Sequence, residues 1–497
     1  MPNLGVRPVC GCAPEIAAED FSLGAVRREV PAGELRRQAE IMERAAARNA
    51  ALPRAPLALV DTYGCQQNEA DSEKLRGMLA RMGYGFTDDP GRADVVVMNT
   101  CAVRGHAEQR VFGNVGALSH TKAANPAQVV ALCGCMMQEP GMAEKVKKSY
   151  RYVDLVFGTH ALWRFPELLE EVLAGGGRVF ETAPEDGSIA EGLPSYRTGG
   201  VKAWLPVMYG CDNFCSYCIV PYVRGRERSR EPAAVLADAR ALAASGAKDI
   251  MLLGENVNSY GKGLPEKTDF ASLLRALSGI DGEFVLRFMT SHPKDAGEAL
   301  FAAMAELPKV ERHLHLPFQS GSDRILKAMN RRYDSAAYLR LAALARSYMP
   351  DLVLTSDVIV GFPGETEEDF GDTMKLVETV RFDALFTFIY SPRTGTPAAK
   401  LPDPATREEK QARFERLLAL QNGISAEKHA AYVGKTLRVL ADGTDASDPA
   451  LLTGRTQGGR LVRFPGGAEL VGRFLDVEIT GSSTWALAGK LSEGEKQ

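Results

Sequence analysis

Between residues 203 and 390, six short apolar runs (203–209, 249–253, 284–288, 313–317, 354–360 and 384–390) alternate with helical patterns such as 232–244, 295–305, 335–348 and 367–380. Strands separated by helices of this length pair in parallel through crossovers. Six units without a seventh or eighth predict an incomplete (β/α) barrel, with its active site at the C-terminal ends of the strands. A helix over 407–431, opened by Thr406 with Glu409 three residues on, closes this unit with capping-box spacing.

Upstream, apolar runs at 57–61, 95–99 and 128–132, with a helix over 72–82, predict a separate parallel α/β sheet. The first residues differ: prolines, a Cys10-Gly-Cys12 triplet and an Arg/Glu/Ala-rich stretch predict a loose arm ending in one helix. A Gly- and Pro-containing segment at 183–200 lacks periodicity and is read as a linker. Beyond Gly434, five short runs (436–441, 451–455, 460–464, 474–480 and 485–489) with Gly and Asp turns fit a small β-barrel. The expected organisation is a flexible extension over 1–55, a parallel α/β domain over 56–182, a partial (β/α)6 barrel over 195–430 and a small barrel over 431–493.

Lys and Arg total 59 against 63 Asp and Glu, so a nucleic-acid site must be local rather than a product of bulk charge. The nine cysteines, an odd number, argue against a disulfide framework and for reducing cytoplasm. No apolar run is long enough to span a bilayer, and a chain without membrane attachment is expected.

The strongest chemical signal is Cys211-Asp-Asn-Phe-Cys215-Ser-Tyr-Cys218, just past the first barrel strand. Structural zinc needs four ligands, usually in paired CxxC units, and no fourth Cys or His lies near. Three thiolates on a 4Fe-4S cubane leave one iron open to a substrate or cofactor, and that reading is preferred over zinc or buried structural cysteine. A second set is dispersed: Cys65, Cys101 and Cys135 each follow a strand, so one edge of a parallel sheet can gather them. Taken alone, ordinary core cysteines are the preferred reading of this set. Cys133 reads as strand interior, and Cys10 and Cys12 as exposed thiols.

With these residues in view, the chain from Leu57 to Lys490 resembles the radical S-adenosylmethionine (SAM) methylthiotransferases. The 211–218 loop matches the radical SAM signature, with Tyr217 at its usual aromatic position. Thr62-Tyr-Gly-Cys65-Gln-Gln-Asn68, Asn99-Thr-Cys101-Ala-Val-Arg104 and Gly134-Cys135-Met-Met-Gln138 resemble the family's amino-terminal cluster segments. Leu253-Gly-Glu255-Asn256-Val257-Asn258-Ser-Tyr-Gly261 is most similar to the branch acting on isopentenylated adenosine in tRNA, although Glu255 stands where that branch usually has Gln. The last 60-odd residues resemble a TRAM domain, a small RNA-binding module.

The resemblance implies two 4Fe-4S clusters, one on Cys211, Cys215 and Cys218 and one on Cys65, Cys101 and Cys135. It implies that SAM is held at the first by Tyr217, Gly254, Glu255, Ser320, Ile359 and Gly361, and cleaved to a 5′-deoxyadenosyl radical. The second cluster would supply sulfur methylated by another SAM, giving 2-methylthiolation of N6-isopentenyladenosine at position 37 of tRNA. Sister branches act on threonylcarbamoyl-adenosine or on a ribosomal-protein aspartate. Expected partners are the tRNA anticodon stem-loop, contacted by Arg224, Arg226, Arg455, Arg460 and Arg463 with Phe464 or Trp485 as a stacking face, and a flavodoxin- or ferredoxin-like electron donor. A monomer is expected. No group beyond the cluster ligands is assigned as catalytic; His313 and His315 are expected to be structural.

Overall fold

A computed structural model describes residues 28–102, 105–183 and 187–495. Cys10, Cys12 and Arg104 fall outside the described residues. The amino-terminal unit is a six-stranded parallel sheet in the order Gly85–Phe86, Leu57–Thr62, Val95–Thr100, Val129–Gly134, Leu155–Phe157 and Val179–Glu181. Val95–Thr100 and Val129–Gly134 are buried along their whole length, as central strands covered on both faces must be. Alternate side chains feed two separate cores: Val95, Val97, Ala131 and Cys133 enter one, and Val96, Met98, Val130 and Leu132 the other. Cys133 is therefore strand interior, as its position predicts.

Two expectations need correction here. The segment after residue 28 holds the expected helix but is not loose: Arg28–Glu29 pairs with Ser188–Ile189, and the helix Ala32–Ala50 buries Ile41, Met42 and Ala45, packing on the helices Gln66–Arg81 and Phe165–Leu173. A narrow apolar stripe at helical spacing does this, hidden among charges, while Arg48 holds Glu170 with two bonds of 2.8 Å. The first internal helix runs Gln66–Arg81, six residues earlier than its apolar period suggests. It begins directly after Cys65 because the polar Gln67, Asn68 and Asp71 are buried in it rather than exposed.

Six parallel strands build the central unit as two three-stranded sheets: Lys202–Pro206, Asp249–Leu253 and Val285–Phe288, then His313–His315, Val353–Val360 and Ala384–Ile389. A parallel bridge between Leu286 and Val310 joins them in sequence order. Ala203, Leu205, Ile250, Leu286, Val358 and Leu385 pack outward against the helices, which leaves the opposite faces to line a lumen. The helix Arg407–Ala430 carries the predicted capping box, Thr406 Oγ1 accepting from Glu409 N and Glu409 Oε2 from Thr406 N.

The terminal unit is a closed five-stranded barrel of Thr436–Thr444, Leu451–Thr456, Leu461–Pro465, Leu487–Leu491 and Phe474–Ser482. It rests on the strand starts of the central unit. Arg460 is buried between Asp383 and His429, Lys202 pairs with Asp442 at 2.8 Å, and Arg312 N donates to the Gln457 carbonyl. Phe464 is fully buried in the barrel core. Phe464→Ala is expected to cost about 3–5 kcal/mol and lower the melting temperature of this barrel, followed by thermal unfolding of the full chain.

Candidate active site: two facing cysteine triads

Cys211 follows the short strand Met208–Tyr209, which pairs antiparallel with Arg228–Ser229. Gly210 makes the turn at φ +70°, and a Cβ there would lie 2.1 Å from the Arg226 carbonyl oxygen. The loop is strapped from outside: Ser216 N and Oγ donate to the carbonyls of Met329 and Ala328, Asn330 Nδ2 to that of Phe214, and Ala398 N to that of Ser216. Gly210→Ala is expected to leave the chain folded but to halve the iron and sulfide bound after anaerobic reconstitution, because displacing this turn carries Cys211 with it.

Cys65 caps the start of Gln66–Arg81, Cys101 follows Val95–Thr100, and Cys135 follows Val129–Gly134. Gly64, next to Cys65, lies against Cys101, where a Cβ would stand 2.8 Å from the Cys101 Cβ; the charges of Cys65 and Cys101 act on Cys135, and those of Cys218 and Cys215 on Cys211. Each set is thus brought together. Cys135 also packs with Ala102 against Ile219, Tyr222 and Val223 from the turn after Cys218, so the two triads meet across one interface. Burial raises the pKa of Cys65, Cys135, Cys211 and Cys218, and the charge of Glu255, just past Asp249–Leu253, adds to it at both triads.

Burial holds the Cys135 and Cys211 thiols above their ordinary range and pushes Cys218 up to about 12. Such thiols are inert until a metal deprotonates them. One buried guanidinium faces each triad. Arg224 Nε donates to Cys135 Sγ at 2.8 Å, while its other nitrogens bond Asp71 at 2.7 Å and Asn68 at 3.4 Å. Arg331 reaches Cys215 Sγ at 3.4 Å, and its other partners are the Tyr333 hydroxyl and the Pro317 carbonyl, neither a carboxylate. A buried cation without a carboxylate fits an anionic group held on those thiolates. Among the described residues no three His, Cys, Asp or Glu side chains close on a single ion.

The remaining expected contacts divide. Tyr217 and Ile359 pack with Phe362 and Tyr390 beside the first triad. The Gly254 carbonyl accepts from Thr290 Oγ1 at 2.7 Å, and Gly361 N donates to Glu365 at 2.8 Å. Ser320 is buried, its hydroxyl turned to Thr373 and to Ser322 N. Among the expected RNA contacts, Arg224 and Arg460 are corrections: both are buried in ion pairs and present no surface. Phe464 is likewise core, leaving Trp485, 60% exposed, as the open ring. Arg226 pairs with Asp212, Arg463 with Asp445 and Arg455 with Asp442, and all three stay partly exposed.

Three family models match the chain: the radical SAM superfamily over residues 205–377, an uncharacterized protein family designated UPF0004 over 58–158, and the TRAM domain over 430–492. A tRNA-2-methylthio-N(6)-dimethylallyladenosine synthase of Acetivibrio thermocellus is 51% identical over 432 residues, 87% of this chain and 90% of that protein. A synthase of the same name from Clostridium perfringens is 50% identical over 434 residues, covering 87% of this chain and 97% of its own. The chain belongs to this synthase family. Of solved structures, the radical SAM methyltransferase TsrM of Kitasatospora setae aligns with a TM-score of 0.52 at 14% identity, covering 69% of this chain and 74% of that one. That likeness concerns the fold.

Membership in the synthase family does not by itself point to Arg224, Arg331, Asn68 or Asp71, and sequence reading missed how these four serve the site. Asn68 lies in the Cys65 segment, where its Oδ1 accepts from the Cys65 thiol at 3.3 Å and its Nδ2 donates to Asn99 Oδ1 at 2.9 Å, tying two cluster segments together. Asn256 of the branch motif is also a brace: it donates to Asp295 and accepts from His292 N, fixing the loop after the third barrel strand. His313 and His315 both bond Thr355 Oγ1, as structural histidines would.

Proposed function

We propose that this chain converts N6-isopentenyladenosine at position 37 of tRNA to its 2-methylthio derivative. The observation that carries the reading is the packing of Cys135 and Ala102 of one unit against Ile219, Tyr222 and Val223, just past Cys218 of the other, in a chain half identical to synthases of that reaction. Cys211, Cys215 and Cys218 would hold one 4Fe-4S cluster, and Cys65, Cys101 and Cys135 the other. When bound, these clusters and SAM supply a radical able to break the adenine C2–H bond and the sulfur that replaces hydrogen, chemistry that no side chain here provides.

The protein's own groups hold and insulate these reactants. Arg224 and Arg331 neutralise thiolate charge on the two triads and keep the ligands oriented. Gly254, Gly361, Tyr217 and Ile359 would line the SAM site, and Glu255 would accept from the SAM amino group. Ser320, turned away to Thr373, supports the loop from behind. The tRNA anticodon stem-loop is the macromolecular partner, with Arg226, Arg455, Arg463 and Trp485 as the surface groups offered to it. Among the described residues no helix is long and apolar enough to cross a membrane. A cytoplasmic monomer that takes electrons from a flavodoxin- or ferredoxin-like protein completes the reading.

The test is product stoichiometry. Reconstituted protein given SAM, sulfide, dithionite and isopentenylated tRNA is expected to form one S-adenosylhomocysteine and one 5′-deoxyadenosine for each methylthio group. Methylthio product without 5′-deoxyadenosine would refute the radical step.

A further inference from the structure

Two aromatic rings stand open on the inner face of the barrel. Register pairs Asp357 with Phe386 and Ile359 with Phe388, so the four share a face. The intervening Val358 and Leu385 point outward into the core between strands and helices, so the shared face is the lumen. Phe386 is 47% exposed and Phe388 52%, whereas Phe288, Phe318 and Phe382 of the same barrel are wholly buried. One exposed apolar ring is ordinary; two neighbours on an inward face beside the reaction site mark a place kept for a ligand. Ala384–Ile389 ends its sheet, so the lumen is open alongside these rings.

The surroundings define that ligand. The His315 ring meets Phe386 edge-on at 5.6 Å, and its Nε2 lies 3.4 Å from Asp357 Oδ1, so the polar neighbour of the rings is an acid. Arg287, near the strand starts, is already taken by Asp249 at 3.0 Å and Glu311 at 2.9 Å. A flat base with an apolar substituent suits this wall, since aromatic faces stack on any base and bury hydrocarbon. A substituent carrying a carboxylate would meet the like charge of Asp357.

Resting on the tRNA-adenosine reading above, we propose that Phe386 and Phe388 form the seat of the isopentenyl-adenine base, and that Asp357 excludes the carboxylate-bearing threonylcarbamoyl base. The two rings are specificity-determining residues that touch the substrate.

The test is equilibrium binding of reconstituted full-length protein to anticodon stem-loops carrying isopentenyladenosine, unmodified adenosine or threonylcarbamoyl-adenosine, alongside product assays on the same samples. The parent is expected to prefer the isopentenylated loop by on the order of tenfold or more over the unmodified one. Phe386→Ala and Phe388→Ala should bring that ratio toward unity and raise KM more than they lower kcat. Phe388→Leu, which keeps apolar surface but no ring, should recover part of the ratio. Asp357→Asn should narrow the gap between isopentenyl and threonylcarbamoyl loops. Alanine variants that keep the parent ratio, or that weaken binding to all three loops equally, overturn the proposal. A parent that methylthiolates isopentenyladenosine without preferring its loop in binding also overturns it while leaving the proposed function intact. A parent that forms no methylthio product removes the function itself.

Discussion

Cys215→Ala is expected to reduce 5′-deoxyadenosine formation from SAM to the level of a protein-free control, with or without tRNA. Cys215 is the middle thiol of its loop, 7% exposed, and it is the one that Arg331 contacts. Two remaining thiols cannot hold a cubane with a single open iron, and the cation left facing them would lose its counter-charge. The loop itself should survive, because Ser216 and Asn330 strap it through backbone bonds independent of Cys215 Sγ. Iron and sulfide should therefore fall by one cluster rather than two, while tRNA binding persists. Undiminished 5′-deoxyadenosine would show that the 211–218 loop is not where SAM is cleaved.

Cys101→Ala is expected to separate the two halves of the reaction. SAM cleavage continues, but no methylthio nucleoside appears, because the first triad and its Arg331 brace are untouched while the second loses one of three ligands. Cys101 is buried and follows a strand whose every residue is buried, so alanine removes little beyond the thiol. The checks are nucleoside mass spectrometry and 5′-deoxyadenosine measured on one sample. Methylthio product at the parent rate would remove Cys101 from the second cluster; loss of SAM cleavage as well would mean that the triads are not independent.

Much of this architecture is legible in the sequence because it depends on periodicity. The six barrel strands, the capping box at Thr406 and the placement of cysteines at strand ends follow from apolar runs and local spacing. What stays hidden depends on partners far away in the chain. Arg224 looks like one of a basic run, and only the fold reveals that Asp71, 153 residues earlier, draws it inward beside Cys135. Arg460 is claimed in the same way by Asp383, and Phe464 by closure of a barrel whose inner face a five-residue strand does not announce. The helix Ala32–Ala50 is legible as a helix, but its docking is not, because only a narrow stripe of Ile41, Met42 and Ala45 is apolar. Phe386 and Phe388 show the converse: a nearly continuous apolar run predicts burial, and an open lumen leaves both rings bare.

The most direct test of the whole account is nucleoside mass spectrometry of tRNA after anaerobic incubation with reconstituted protein, SAM, sulfide and reductant. Matched tRNAs would carry isopentenyladenosine or threonylcarbamoyl-adenosine. A methylthio mass increment on isopentenyladenosine alone is the predicted result. An increment on threonylcarbamoyl-adenosine alone, or none on either while SAM is cleaved, would contradict it.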